Sequence, residues 1–157
     1  MSSHDQSVAY HYTIGANFQS IVSHGCLDPA KTSTADVHSF ERPIVWFSAD
    51  PFWELPATKN WNQDGKMTLL TMDEKAAKGC GLVRFGYPIN KLHSWDSGRL
   101  RSKARMPKAI AKGLSEVGIQ QGANPSHWYG SLRKIPLQNL TIEVLNDKMQ
   151  WELVSNT

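Results

Sequence analysis

The stretch Tyr10-His11-Tyr12-Thr13, followed by Asn17-Phe18, Ile21-Val22 and Gly25, constrains the fold of this chain more than any other. Residues 8–13 alternate as a strand, with Val8, Tyr10 and Tyr12 on one face and Ala9, His11 and Thr13 on the other. Gly15 breaks that pattern. Residues 16–24 then carry Phe18, Ile21 and Val22 on one helical stripe, and Gly25 supplies the C-cap. His24 in the last turn suits the negative end of the helix dipole. A second strand follows at residues 43–48, the apolar run Ile44-Val45-Trp46-Phe47-Ser48, which reads as buried on both faces. Both strands end in polar and aromatic groups, and two such ends can line one pocket.

The rest of the chain is strand-rich and short of helix. Residues 28–42 and 56–66 read as loops. Asp50-Pro51 starts a short helix through Trp53 to Leu55, and Met67–Leu70 makes a short strand. Thr71 and Glu74 have capping-box spacing for a helix to Lys78. Cys80–Tyr87 makes a strand stopped by Pro88. Residues 93–104 are polar and basic. Pro107 opens a helix whose apolar stripe is Ile110, Leu114 and Val117, ending by Gly122. Strands near 127–132, 135–145 and 149–154 complete the chain, with Asn146-Asp147 as the turn of a hairpin. Helices and strands do not alternate regularly, so the expected class is α+β: a mainly antiparallel, curved or split sheet with short helices, in one domain over residues 1–157. No Rossmann glycine signature, P-loop or nucleophile elbow is present.

Bulk properties narrow the function classes. A formal charge of +3 is mild and would not repel an anionic cofactor. No apolar run approaches a membrane span, and the first residues lack the pattern of a signal peptide, so a cytoplasmic protein is expected. Cys26 and Cys80 are too few for a disulfide framework and read as buried thiols. His24, His38 and His93 show no metal-ligand spacing, and no metal is expected. Six tryptophans, at 46, 53, 61, 95, 128 and 151, exceed what a small core needs, which leaves some for a site that stacks on flat rings. Arg99, Arg101, Lys103 and Arg105 put four cations in seven residues, with Lys108 and Lys112 beyond; the segment from Arg99 to Lys108 reads as a solvated loop or as a contact with a nucleic-acid or acidic target.

Tyr10-His11-Tyr12-Thr13, with Asn17-Phe18, Ile21-Val22 and Gly25-Cys26-Leu27, resembles the first motif of the ADP-ribosyltransferase superfamily. The likeness is to the branch with a leading histidine, which includes poly(ADP-ribose) polymerases, diphtheria-toxin-like enzymes and RNA 2′-phosphotransferases. Ile44-Val45-Trp46-Phe47-Ser48 resembles that family's second motif. The resemblance covers about the first third of the chain, and it implies a split sheet around a central cleft that binds NAD. It also implies roles. His11 holds the nicotinamide ribose, main-chain groups near Tyr12 read the carboxamide, and Thr13 offers a hydroxyl to the adenosine side. Phe47, or Trp46 in a slipped register, stacks on nicotinamide, with Ser48 in the same pocket and Trp53 on its wall. The implied reaction transfers ADP-ribose to a macromolecular acceptor, protein or nucleic acid, as in a phage or toxin-type effector.

One departure bears on the reaction. Such transferases carry a glutamate at the start of a late strand, and the matching segment here, residues 126–132, holds no acid. His127 is the nearest polar substitute, while Glu143 and Glu152 lie on later strands. Two alternatives therefore stay open: an RNA 2′-phosphotransferase-like enzyme, favoured by the basic run, and a non-catalytic nucleotide- or protein-binding module on the same fold.

Overall fold

The computed structural model describes residues 7–29, 42–52, 61–63, 66–68 and 81–154. Its centre is a seven-stranded sheet in which every pairing is antiparallel. In chain order the strands among the described residues are β1 (Val8–Ile14), β2 (Cys26–Leu27), β3 (Val45–Ser48), β4 (Trp61–Gln63), β5 (Lys66–Thr68), β6 (Leu82–Pro88), β7 (His93–Ser94), β8 (Trp128–Ser131), β9 (Ile135–Pro136), β10 (Thr141–Leu145) and β11 (Trp151–Leu153). The α-helices among the described residues are α1 (Gly15–His24), α2 (Arg99–Lys103) and α3 (Lys108–Gln120). The large sheet runs β11-β10-β6-β1-β3-β8-β7, while β2-β9 and β4-β5 form two-stranded ribbons. The fold is thus α+β with a mostly antiparallel sheet and few helices.

The opening of the chain folds as its pattern dictates. β1 pairs with β6 along its whole length, from Val8↔Pro88 to Ile14↔Leu82. α1 starts directly at Gly15, whose N–H donates to the Gly81 carbonyl at 2.7 Å, so Gly15 joins strand to helix without a loop. Gly25 closes α1 at φ +85°, and its N–H donates to the Ile21 carbonyl. That left-handed backbone costs a side-chain-bearing residue energy and costs glycine little.

Alternation along the strands sorts the core into two faces. Under α1 lie Ala9, Val45, Phe47, Val83, Phe85 and Ile142, joined by Leu27, Ile135 and Leu140, with Phe18 and Ile21 packed against them. On the other face Leu100 of α2 and Ala111 of α3 pack with Ile44, Trp95, Ala104, Met106 and Trp128. There Trp46, Trp95 and Trp128 form a triangle with ring centroids 5.6–6.0 Å apart, two of the three contacts edge-on. Tyr10, Tyr12, Ile14, Leu82, Leu145 and Trp151 make a third, smaller cluster.

Several sequence expectations are corrected. Residues 61–63 and 66–68 pair as an antiparallel ribbon, where a loop over 56–66 and a strand from Met67 are expected. The basic stretch 93–104 contains β7 and α2. In α3 the buried positions are Ala111 and Gly118, with Ile110 and Val117 about half exposed. The reason is close approach: α3 lies on the Trp128 ring, and only small residues fit there. The strand expected over 135–145 is interrupted by a 3-10 turn at Leu137–Asn139. The expected helix over 71–78, Cys80 and most of the 28–42 loop lie outside the described residues. Cys26 is a free, half-buried thiol.

Candidate functional site

β1 and β3 are in register at one pair only, Tyr10↔Ser48. Beyond it the two strands run on, through Ile14 and back to Val45, without further backbone pairing. The side chain of His11 spans this gap. Its Nδ1–H donates to the Trp46 carbonyl at 2.7 Å. A carbonyl oxygen can only accept, so Nδ1 carries a proton, and in the neutral ring the lone pair is then on Nε2. Nε2 has no hydrogen bond to any described residue. The ring packs 5.9 Å from Phe47 and 6.2 Å from Phe85. Burial lowers the His11 pKa below the ordinary 6.5, with the Trp46 carbonyl opposing in part. His11 is therefore a neutral imidazole at pH 7, presenting an acceptor nitrogen.

Thr13 lies on the same face, buried, and its Oγ1 accepts from Asn17 Nδ2 at 3.1 Å. Phe47 also shares that face but is only 2% exposed, so it is core beneath the imidazole rather than an open stacking platform. Tyr12, Trp46 and Ser48 put their side chains on the opposite face, as period-two alternation and the Tyr10↔Ser48 register require. Tyr12 Oη–H donates to the Asp50 carbonyl, and burial raises its pKa, with Arg84 opposing. Trp46 belongs to the tryptophan triangle and contributes its carbonyl, not its ring, to His11. Ser48 Oγ accepts from Asp50 N–H at 3.0 Å, turning the chain out of β3. Trp53 lies outside the described residues.

The start of β8 lies beside the end of β3, where the Ala49 N–H donates to the His127 carbonyl at 2.8 Å. His127 itself is exposed, on a 3-10 turn whose N-cap Asn124 accepts from Ser126 N–H. No contact joins it to His11 among the described residues. The late acids go elsewhere. Glu143 Oε1 accepts from Arg84 Nε at 2.9 Å, and Glu152 accepts from Asn146 Nδ2 in the β10–β11 turn.

Arg84 is the polar residue that sequence reasoning passed over. It is 8% exposed, with its guanidinium 4.0 Å from the Tyr10 ring centroid and 4.6 Å from that of Trp151. Nη1 donates to the Pro51 carbonyl, and Trp151 Nε1 donates to that of Phe52. Together they hold the turn after β3 against the sheet. No local signal reveals this pair, since Arg84 and Glu143 are 59 residues apart and meet only through the β6–β10 register.

Among the described residues no cluster of three His, Cys, Asp or Glu could hold a metal, and no helix is long and apolar enough to cross a membrane. Comparison of the chain with known protein families, characterised proteins and solved structures returned no match.

Proposed function

We propose that this chain is an ADP-ribosyltransferase-like protein that binds NAD where β1 and β3 part, with His11 as the ribose-contacting residue. The observation that carries the reading is the His11 imidazole, anchored through Nδ1 to the Trp46 carbonyl and left with an acceptor at Nε2. An acceptor held on two strands suits a ribose hydroxyl, which must donate to be fixed. Further support comes from neighbourhood: the two strands that carry the resemblance and the late strand β8 are consecutive in the sheet. In the proposed transfer the bond between nicotinamide nitrogen and ribose breaks, and its electron pair leaves with nicotinamide. A nucleophile of a macromolecular acceptor then takes the ribose carbon and gives up its proton. Positioning supplies much of the barrier reduction for such a step.

A second reading is favoured by one specific observation. Glu143 is committed to Arg84 on the face opposite His11, and the start of β8 carries exposed His127 in place of an acid. A non-catalytic nucleotide-binding module fits that arrangement. Calorimetry with NAD, combined with transfer of label from NAD to a cell extract, separates the two. Binding with transfer supports the enzyme, and binding without transfer or NAD hydrolysis supports the module. His11→Ala should abolish both signals while the protein stays folded; unchanged NAD binding by that variant removes His11 from the site.

A further inference from the structure

The positive charge of this chain is concentrated in one place. Residues 91–108 hold six Lys and Arg and a single acid, Asp96, while all other positions hold eleven Lys and Arg against thirteen acids. The fold gathers this charge. α2 lies next to the edge strand β7, and the Arg42 N–H donates to the Ala104 carbonyl at 2.8 Å, adding a cation from far away in sequence. Arg42, Arg99, Lys103 and Arg105 are exposed. None of them makes an ion pair among the described residues. Arg101 lies with its guanidinium 5.4 Å from the Trp95 ring centroid, and its buried Nε has no hydrogen-bond partner among the described residues. His93 on β7 feels the field: burial lowers its pKa, and Lys103 and Arg99 lower it further.

We infer that the α2–β7 surface is a binding site for the phosphate backbone of a nucleic acid. Unpaired, closely spaced cations are what phosphate neutralisation needs. The core of a protein interface and an amphipathic helix lying in a membrane surface both bury apolar side chains. The large apolar side chains exposed among the described residues include Phe52, Ile110, Val117 and Leu153, and none lies between 91 and 108. The inference deepens the partner side of the proposed function and does not require NAD.

The test is fluorescence anisotropy with labelled single-stranded DNA, single-stranded RNA and duplex DNA of about 20 residues, titrated from about 50 to about 200 mM salt without NAD. Binding should weaken steeply with salt, and the ranking of the three probes identifies the source of the phosphates. A variant carrying Arg99→Ala, Lys103→Ala and Arg105→Gly removes three cations. Glycine is chosen because Arg105 sits at φ +57°, which glycine adopts freely. Removing three phosphate contacts should cut the slope of log K against log salt by roughly 2–3. The control replaces exposed Arg133, Lys134 and Lys148 with Ala, the same change in net charge elsewhere, and should leave the slope unaltered. Absence of binding at the lowest salt, or equal losses in both triple variants, overturns the inference. So does tighter capture of polyglutamate or anionic vesicles than of every nucleic acid.

Because the assay contains no NAD, its failure and that of the NAD-binding reading are distinguishable.

Discussion

Two alanine substitutions in α3, five residues apart, should differ in their effect on stability, with only the first one stabilising. Gly113 and Gly118 are both interior to the helix, and replacing glycine by alanine in an unobstructed helix gains roughly 1 kcal/mol of propensity. A Cβ at Gly113 meets nothing within 4 Å, so Gly113→Ala should keep that gain. A Cβ at Gly118 falls 2.5 Å from two carbons of the Trp128 ring. Comfortable carbon–carbon contact is about 3.5–4.0 Å, so the overlap exceeds about 1 Å. The ring has little room to withdraw, since Trp46 and Trp95 pack against it on edge. Overpacking of this kind costs about 1–3 kcal/mol, which cancels or outweighs the propensity gain. The two variants should therefore differ by about 1–3 kcal/mol, or about 2–12 °C in Tm for a chain of this length. Thermal unfolding of both by circular dichroism reads this directly. Equal or greater stabilisation by Gly118→Ala would refute the argument that α3 is seated on Trp128. It would also loosen the account of β8, whose first residue, Trp128, pairs with Ser48 at the end of β3.

Glu143→Ala should cost about 2–4 kcal/mol in urea unfolding, somewhat under the roughly 3–5 expected for a fully buried pair, because Glu143 is 21% exposed and Arg84 keeps its stacking on Tyr10 and Trp151. An unchanged midpoint would show that the pair does not hold the turn after β3. Stability should also fall on the acid side of neutrality through His11. Its folded pKa lies below 6.5, so the unfolded chain takes up the proton first. The contribution is complete above pH 6.5, declines as pH drops toward the folded pKa, and is constant below it. His11→Phe should flatten that part of the urea midpoint–pH curve, and an unaltered curve would show that His11 is not held neutral by the fold.

How much was legible before the structure depended on the range of the interaction. β1, α1 with its Gly25 cap, β3 and the Pro107-started α3 are local patterns: period two, period 3.6, a glycine at positive φ and a fixed proline φ. α2 was missed because its five residues, Arg99–Lys103, include one buried apolar side chain, Leu100, and so show no amphipathic repeat. Of the apolar stripe on α3, Leu114 packs against the core while Ile110 and Val117 stay about half exposed, because the helix seats Gly118 and Ala111 most closely, Gly118 against the Trp128 ring.

The candidate site divides in the same way. Alternation along β1 already put His11 and Thr13 on one face and Tyr12 on the other, because successive side chains of a strand point oppositely whatever lies around them. What His11 touches was a tertiary matter. The Trp46 carbonyl that fixes its tautomer is 35 residues away and is brought there by one pair, Tyr10↔Ser48, after which the strands part. The partner of Glu143 was equally hidden, since only the β6–β10 register sets that carboxylate against Arg84. Local chemistry along the chain determined β1, α1, β3 and the start of α3, the two faces of β1, and the run of cations at 99–105. Long-range pairing alone decided that His11 is a neutral acceptor, that Glu143 is held by Arg84, and that Arg42 joins the basic surface, because each depends on contacts between strands or loops that are distant in sequence.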